Sequence, residues 1–186
     1  MRHLPALFVA LIAAILSPRA ANAVEIRINR TNPFVYIQIG HGDLRRRGLF
    51  GPPSGQVDEV SFTFPAGVQP GDGTPVLGTP TIPIALLGLS VGNQANYRVT
   101  VNSSAGLTNE FGDMLPFAEI SWTTTDGDIP SGTFDDSANQ FLLEYNFAPT
   151  NRGRGVIDYL TFSYANDTIY PAGTYTGRVI YTITEL

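Results

Sequence analysis

The feature that most constrains this chain is the step between its apolar residues, which is two for nearly the whole length. Val60/Phe62/Phe64, Tyr97/Val99/Val101, Ala118/Ile120/Trp122, Phe141/Leu143/Tyr145 and Leu160/Phe162/Tyr164 each fall on one side of an alternating segment. Ser61, Thr63, Arg98, Thr100, Glu119, Ser121 and Glu144 fall on the other. A period of two is that of a β-strand with one buried and one wet face, the pattern of antiparallel sheets. No helical face of three turns interrupts it. The alternation predicts strands at Val24–Asn29, Phe34–Ile39, Val57–Phe64, Ile82–Leu89, Asn96–Asn102, Phe117–Thr124, Asn139–Asn146, Val156–Tyr164 and Gly173–Thr184. Many short strands separated by turn residues form a β-sandwich. The fold class expected is therefore all-β, with a single antiparallel sandwich.

Between the strands lie most of the 19 glycines and 14 prolines. The stretches 40–56 and 65–80 are the longest, and both are too broken by Gly and Pro to be central strands, so they are expected as long surface loops. Alternation resumes with the same character on either side of each, so neither divides the chain into domains. Trp122, the one tryptophan, follows Ala118 and Ile120 in register. It is expected in the core, with its indole N–H reaching a backbone carbonyl at the sandwich edge; stacking against a sugar is the alternative role.

Residues 1–23 are set apart. Arg2 and His3 precede an apolar run from Leu4 to Leu16, and Ala21-Asn22-Ala23 offers the small residues that a signal peptidase cuts after. The run is too short for a permanent span and reads as a cleaved secretory signal. Residues 24–186 would then be the sandwich domain, exported to the periplasm, the cell surface or the medium. A domain of this size buries roughly 70 % of the surface of its unfolded chain. It has no cysteine, so packing and sheet hydrogen bonds must hold it without disulfides.

The charge balance excludes nucleic acid as a partner. All 11 cationic side chains are arginine and face 16 acidic ones, the opposite of a basic footprint. The one basic cluster, Arg45-Arg46-Arg47, sits between glycines and reads as a loop tip. Catalytic chemistry is thinly provided for. His41, the only histidine beyond the signal, stands in Gly-His-Gly-Asp, and the one Gly-x-Ser-x-Gly string, Gly88-Leu89-Ser90-Val91-Gly92, lies between two expected strands rather than leading from a strand into a helix as a nucleophile elbow does, so no nucleophile–base pair is assigned. No catalytic residues, no cofactor and no metal site are assigned. The stretch "TDGDIPSGTFDD" (125–136) carries Asp126, Asp128, Asp135 and Asp136, the residues from which a calcium loop would be built. Their spacing lacks the EF-hand pattern, and Asp and Gly are equally the ordinary residues of turns.

The chain closes on "PAGTYTGRVIYTIT" and two further residues. Tyr175, Gly177, Val179, Tyr181 and Ile183 alternate with Thr174, Thr176, Arg178, Ile180, Thr182 and Thr184. This ending resembles the last strand of subunits from the chaperone–usher pili of Gram-negative bacteria, which has a glycine fourteenth from the end; Gly173 takes that place. It is similar also to the closing strands of spore-coat-U-like and WxL-type domains. The pilin resemblance implies an immunoglobulin-like sandwich short of one strand, completed when a neighbouring subunit inserts its N-terminal extension. It implies a pilus chaperone and usher, or other copies of the chain, as partners. Val24, Ile26 and Ile28 would be the donor side chains, worth about 5–9 kcal/mol if buried. Gly173, Tyr175, Val179, Tyr181 and Ile183 would be the receiving strand. Alternatively, Val24–Asn29 is the first strand of a self-complete sandwich that binds a glycan or a protein through loops 40–56 and 65–80. A hydrolase on a sandwich scaffold is the least favoured of the three readings, and enzyme activity is not expected.

Overall fold

The computed structural model describes residues 34–40, 58–89, 95–147 and 155–186. Among them are β1 (Phe34–Ile39), β2 (Ser61–Phe62), β3 (Val76–Thr79), β4 (Ile82–Leu89), β5 (Ala95–Asn102), β6 (Leu107–Thr108) and β7 (Met114–Leu115). A 3-10 turn, Phe117–Glu119, precedes β8 (Ile120–Thr124). There follow β9 (Gly132–Thr133), β10 (Gln140–Phe147), β11 (Gly155–Tyr164), β12 (Thr176–Gly177) and β13 (Ile180–Glu185). Every pairing is antiparallel, and the described residues contain no α-helix. The all-β expectation holds.

The larger sheet is organised by β11. Its first half pairs β4, from Gly155↔Leu87 to Leu160↔Ile82, and its second half pairs β3 on the same side through Ser163↔Leu77. The opposite side of β11 carries β8, which carries β9. Beyond β4 lies β1, and beyond β3 lies β2. Thus β1 and β2 lie in one outer lane. A three-stranded sheet, β10-β5-β13, makes the second layer, and a small ribbon, β12-β6-β7, stands apart from both in its pairing.

One apolar cluster joins the two layers. Ile37, Ile84, Leu86, Val156, Leu160, Phe162 and Trp122 come from the larger sheet; Tyr97, Val99, Val101, Leu142, Leu143 and Tyr181 come from the smaller. Burying side chains on one face of each sheet is what makes the pair a sandwich. Phe134, from the link after β9, stacks on Phe162 with ring centroids 6.1 Å apart and meets Trp122 at 4.9 Å. The Trp122 indole N–H donates to the Pro130 carbonyl at 2.9 Å, so the tryptophan has the place and the partner its register predicts.

Five expectations are corrected. Among the described residues, the strand expected at Val57–Phe64 is reduced to Ser61–Phe62, with 58–60 and 63–64 outside any strand. Within 65–80, residues 76–79 are β3, which is inside the sheet between β11 and β2; Pro75 and Pro80 flank it, so no ladder donor is missing. Gly78 is needed there, because a Cβ at this position would fall 2.6 Å from Val60 and 2.9 Å from Phe62. The strand expected at Gly173–Thr184 is two strands: Thr176–Gly177 joins β6 in the ribbon, and Ile180–Glu185 joins β5 in the sandwich. The one expected at Phe117–Thr124 begins only at Ile120, leaving Ala118 exposed. In β10, a bulge between Phe141 and Leu143 inserts Leu142, which is 4 % exposed, and turns Phe141 outward to 57 %. An inserted residue reverses the phase of everything before it.

Candidate functional site

The residues singled out at the C-terminus converge on the edge of the smaller sheet. β13 pairs β5 from Ile180↔Asn102 to Glu185↔Tyr97, and the Leu186 N–H extends the ladder to the Asn96 carbonyl at 2.9 Å. In an antiparallel ladder the pairs alternate between those that exchange hydrogen bonds and those that do not. Leu186 opposite Asn96 is of the first kind, so Thr184, Thr182 and Ile180 also aim their backbone groups at β5. Tyr181 and Ile183 therefore aim theirs away from the sheet, and among the described residues no strand lies there. Their side chains turn inward: Tyr181 is buried, and Val179 and Ile183 are partly buried against the core. Burial pushes the Tyr181 phenol well above its ordinary value of 10. The alternation thus survives the split of the strand, since Tyr175, Val179, Tyr181 and Ile183 all pack against the core.

Gly173 is placed differently from the other four. It lies in the bend before β12, where a Cβ would meet the Asn109 side chain at 2.8 Å. Tyr175 closes that bend by donating its hydroxyl to the Pro171 carbonyl at 2.8 Å. Val24, Ile26, Ile28, His41 and Arg45-Arg46-Arg47 lie outside the described residues.

The acidic stretch 125–136 is built around a carboxylate that supplies it from elsewhere. Asp158 stands on β11 between Val156 and Leu160, on the core face, with 0 % exposure. Its Oδ1 accepts the N–H groups of Thr125 (2.9 Å), Asp126 (3.0 Å) and Tyr159 (2.8 Å), and its Oδ2 accepts that of Ile129 (3.1 Å). Burial alone would push this carboxyl up; the amides of Asp126, Ile129, Tyr159 and Thr125 outweigh it and hold the group below its ordinary 3.8. The loop thus wraps an anion with its amides, and Asp126 and Asp128 are left exposed. Asp135 accepts from the Ser137 N–H at 2.9 Å, and Ser137 holds its carboxyl below the usual value. Asp136 accepts from the Ala118 N–H at 3.1 Å. Two of the four aspartates, Asp135 and Asp136, are thus engaged with backbone N–H groups, and among the described residues no group of three or more His, Asp or Glu side chains is placed to hold a metal ion.

A second polar centre fixes the loop 65–75. Asn166, fully buried and at φ 57, accepts the Gly71 N–H at 2.8 Å through its side chain and the Gly73 N–H at 2.8 Å through its backbone carbonyl. Its amide donates to the Gln69 carbonyl (2.9 Å), Asp72 Oδ1 (3.0 Å) and the Thr74 carbonyl (3.2 Å). Asp72 in turn accepts from the Gln69 and Thr74 N–H groups, which lower its pKa.

Neither Asp158 nor Asn166 is among the residues the sequence reading selects. The signal for Asp158 was present, because it is the one charge at an apolar position of the step-two series 156, 158, 160, 162, 164. Asn166 gives no such signal, since its partners are some 95 positions away.

No family model, no curated protein and no solved structure matches the chain. No helix among the described residues is long and apolar enough to cross a membrane.

Proposed function

We propose that this is an exported structural or adhesive surface protein, the subunit of a pilus or fibre that assembles by β-strand addition at the outer edge of β13. The observation that carries this is the edge itself: the Tyr181 and Ile183 backbones face away from β5, while Val179, Tyr181 and Ile183 look into the core. A strand laid there would gain ladder hydrogen bonds and cover the partly buried side chains together. The segment from Val24 to Asn29 has the matching alternation, with Val24, Ile26 and Ile28 on one face. In this reading residues 1–23 are removed on export, the sandwich is of immunoglobulin type, and a chaperone guards the edge until a neighbour's segment arrives.

The test uses the mature chain, residues 24–186, and the same chain lacking 24–32. The mature chain should form SDS-resistant or high-mass assemblies, and the shortened chain should not. A mature chain that stays monomeric and unfolds cooperatively by itself would defeat the proposal. That result would support the second reading, a self-complete sandwich whose loops bind a ligand, which the Asn166-centred ordering of loop 65–75 favours.

A further inference from the structure

The chain contains two Asp-Gly dipeptides, Asp72-Gly73 and Asp126-Gly127, and the fold treats them oppositely. In such a pair the backbone nitrogen after the aspartate can reach the side-chain carboxyl, because glycine has no Cβ to stand in the way. At Asp72-Gly73 both groups are engaged. The Asp72 carboxylate accepts from the Gln69 N–H (2.8 Å), the Thr74 N–H (2.8 Å) and the Asn166 amide (3.0 Å), while the Gly73 N–H donates to the Asn166 carbonyl at 2.8 Å. At Asp126-Gly127 neither is. Both residues are exposed, Gly127 has φ 77, and a Cβ built on it would find nothing within 4 Å. Among the described residues the Asp126 carboxylate and the Gly127 N–H form no hydrogen bond. The turn is held instead on either side of this point, by the Thr125, Asp126 and Ile129 N–H groups on Asp158.

We propose that Asp126-Gly127 is a site of spontaneous aspartate isomerisation, and that its product pulls Ile129 away from Asp158. The Gly127 nitrogen adds to Asp126 Cγ; the N–Cγ bond forms as the N–H proton and the carboxyl OH leave as water, closing a five-membered imide. Water then adds to one of the two imide carbonyls. Opening at Cγ returns aspartate. Opening at the main-chain carbonyl of Asp126 breaks the original peptide bond, frees that carbonyl as a carboxylate and leaves the chain running through Cβ and Cγ. No atom is gained or lost overall, but the main chain is longer by one carbon, about 1.5 Å of path. Thr125 and Asp126 donate to Asp158 before that carbon and keep their bonds. Ile129 comes after it, and its N–H is the one donor on Asp158 Oδ2 among the described residues. Its side chain is fully buried, and close packing leaves no room for the shift.

The test ages the purified protein for weeks at neutral pH, in buffer and, as the reference for a free chain, in urea. After digestion, an isoaspartyl methyltransferase with labelled S-adenosylmethionine marks isoaspartate, and electron-transfer fragmentation places it. The ratio of mark at Asp126 to mark at Asp72 should be at least about tenfold higher in buffer than in urea, the rate cost of giving up even one hydrogen bond to a charged group. Aged protein should unfold at a lower urea midpoint than fresh protein, in step with its isoaspartate content at residue 126. Asp126→Glu, at an exposed position, closes the larger imide ring far more slowly, so it should lose both the mark and the drift of the midpoint. The same ratio in buffer and urea would overturn the proposal, as would no mark at Asp126 in the folded protein. A midpoint that falls equally with age in Asp126→Glu would overturn it too.

Discussion

Asp158→Asn is the most informative single substitution. It exchanges one acceptor oxygen for an NH2 group, which then points at backbone N–H groups that can only donate. Breaking charge-assisted hydrogen bonds in a buried place costs on the order of 3 kcal/mol, and the β8–β9 turn should loosen first. The pH dependence has a definite sign. The folded pKa lies below 3.8, so the native state holds this proton less tightly than the unfolded chain does. The stability it contributes is present above 3.8 and is lost as pH falls through the lower, folded value. Urea midpoints at pH 7 and pH 3 should show the wild-type advantage over Asp158→Asn shrinking at the lower pH. An advantage of equal size at both would show that folding leaves the proton affinity of Asp158 unchanged, and one that grew at pH 3 would show that the fold keeps the group protonated. At Asn166 side chain and backbone act together, since φ 57 favours Gly, Asn or Asp and only Asn supplies both an acceptor for Gly71 and donors for the three loop oxygens.

Strand edges have direction, and β13 allows the two sides to be probed separately. Proline removes one N–H, which matters only where that N–H bonds. Thr182→Pro takes a donor from the β5 ladder and should cost about 3 kcal/mol or more. Ile183→Pro takes one that faces away from β5, so every β13–β5 bond stays and the domain should remain folded with its edge blocked to an incoming strand. Thermal melts and assembly assays on the pair should separate, with Thr182→Pro losing stability and Ile183→Pro losing assembly. Ile183→Ala sets the cost of the core contact that Ile183→Pro also removes, and a loss of stability by Ile183→Pro beyond that cost, as large as that of Thr182→Pro, would mean that the outer side of β13 is already paired within the same chain. The split of the C-terminal segment also belongs to this scale. Alternation continues without a break from Tyr175 to Ile183, yet Arg178 and Val179 carry the chain from the ribbon to the sandwich, because the ladder partner changes from β6 to β5.

Both sheets share one core cluster, so neither layer can lose its partner and keep its apolar face covered. With no disulfide to hold part of the chain in place, unfolding should be a single transition. Fluorescence of Trp122, which is set against Phe134, and far-UV circular dichroism should give the same denaturant midpoint; two separated midpoints would mean that the layers are independent units. The step-two alternation by itself determined the fold class and most of the long strands, since β1 and β4 run as read, β5 and β11 differ by one residue at one end, and β10 by one residue at each end. It also placed Trp122 and the inward face of the last strand, because facing is a local property of a pleated chain. Of the five two-residue strands, β6, β7 and β9, together with the separate pairing of β12, the interior place of β3 and the outward turn of Phe141, were decided by tertiary structure alone. A short segment becomes a strand only when a ladder partner, often far along the chain, supplies its hydrogen bonds, and a bulge shows itself only against the strand it is paired with.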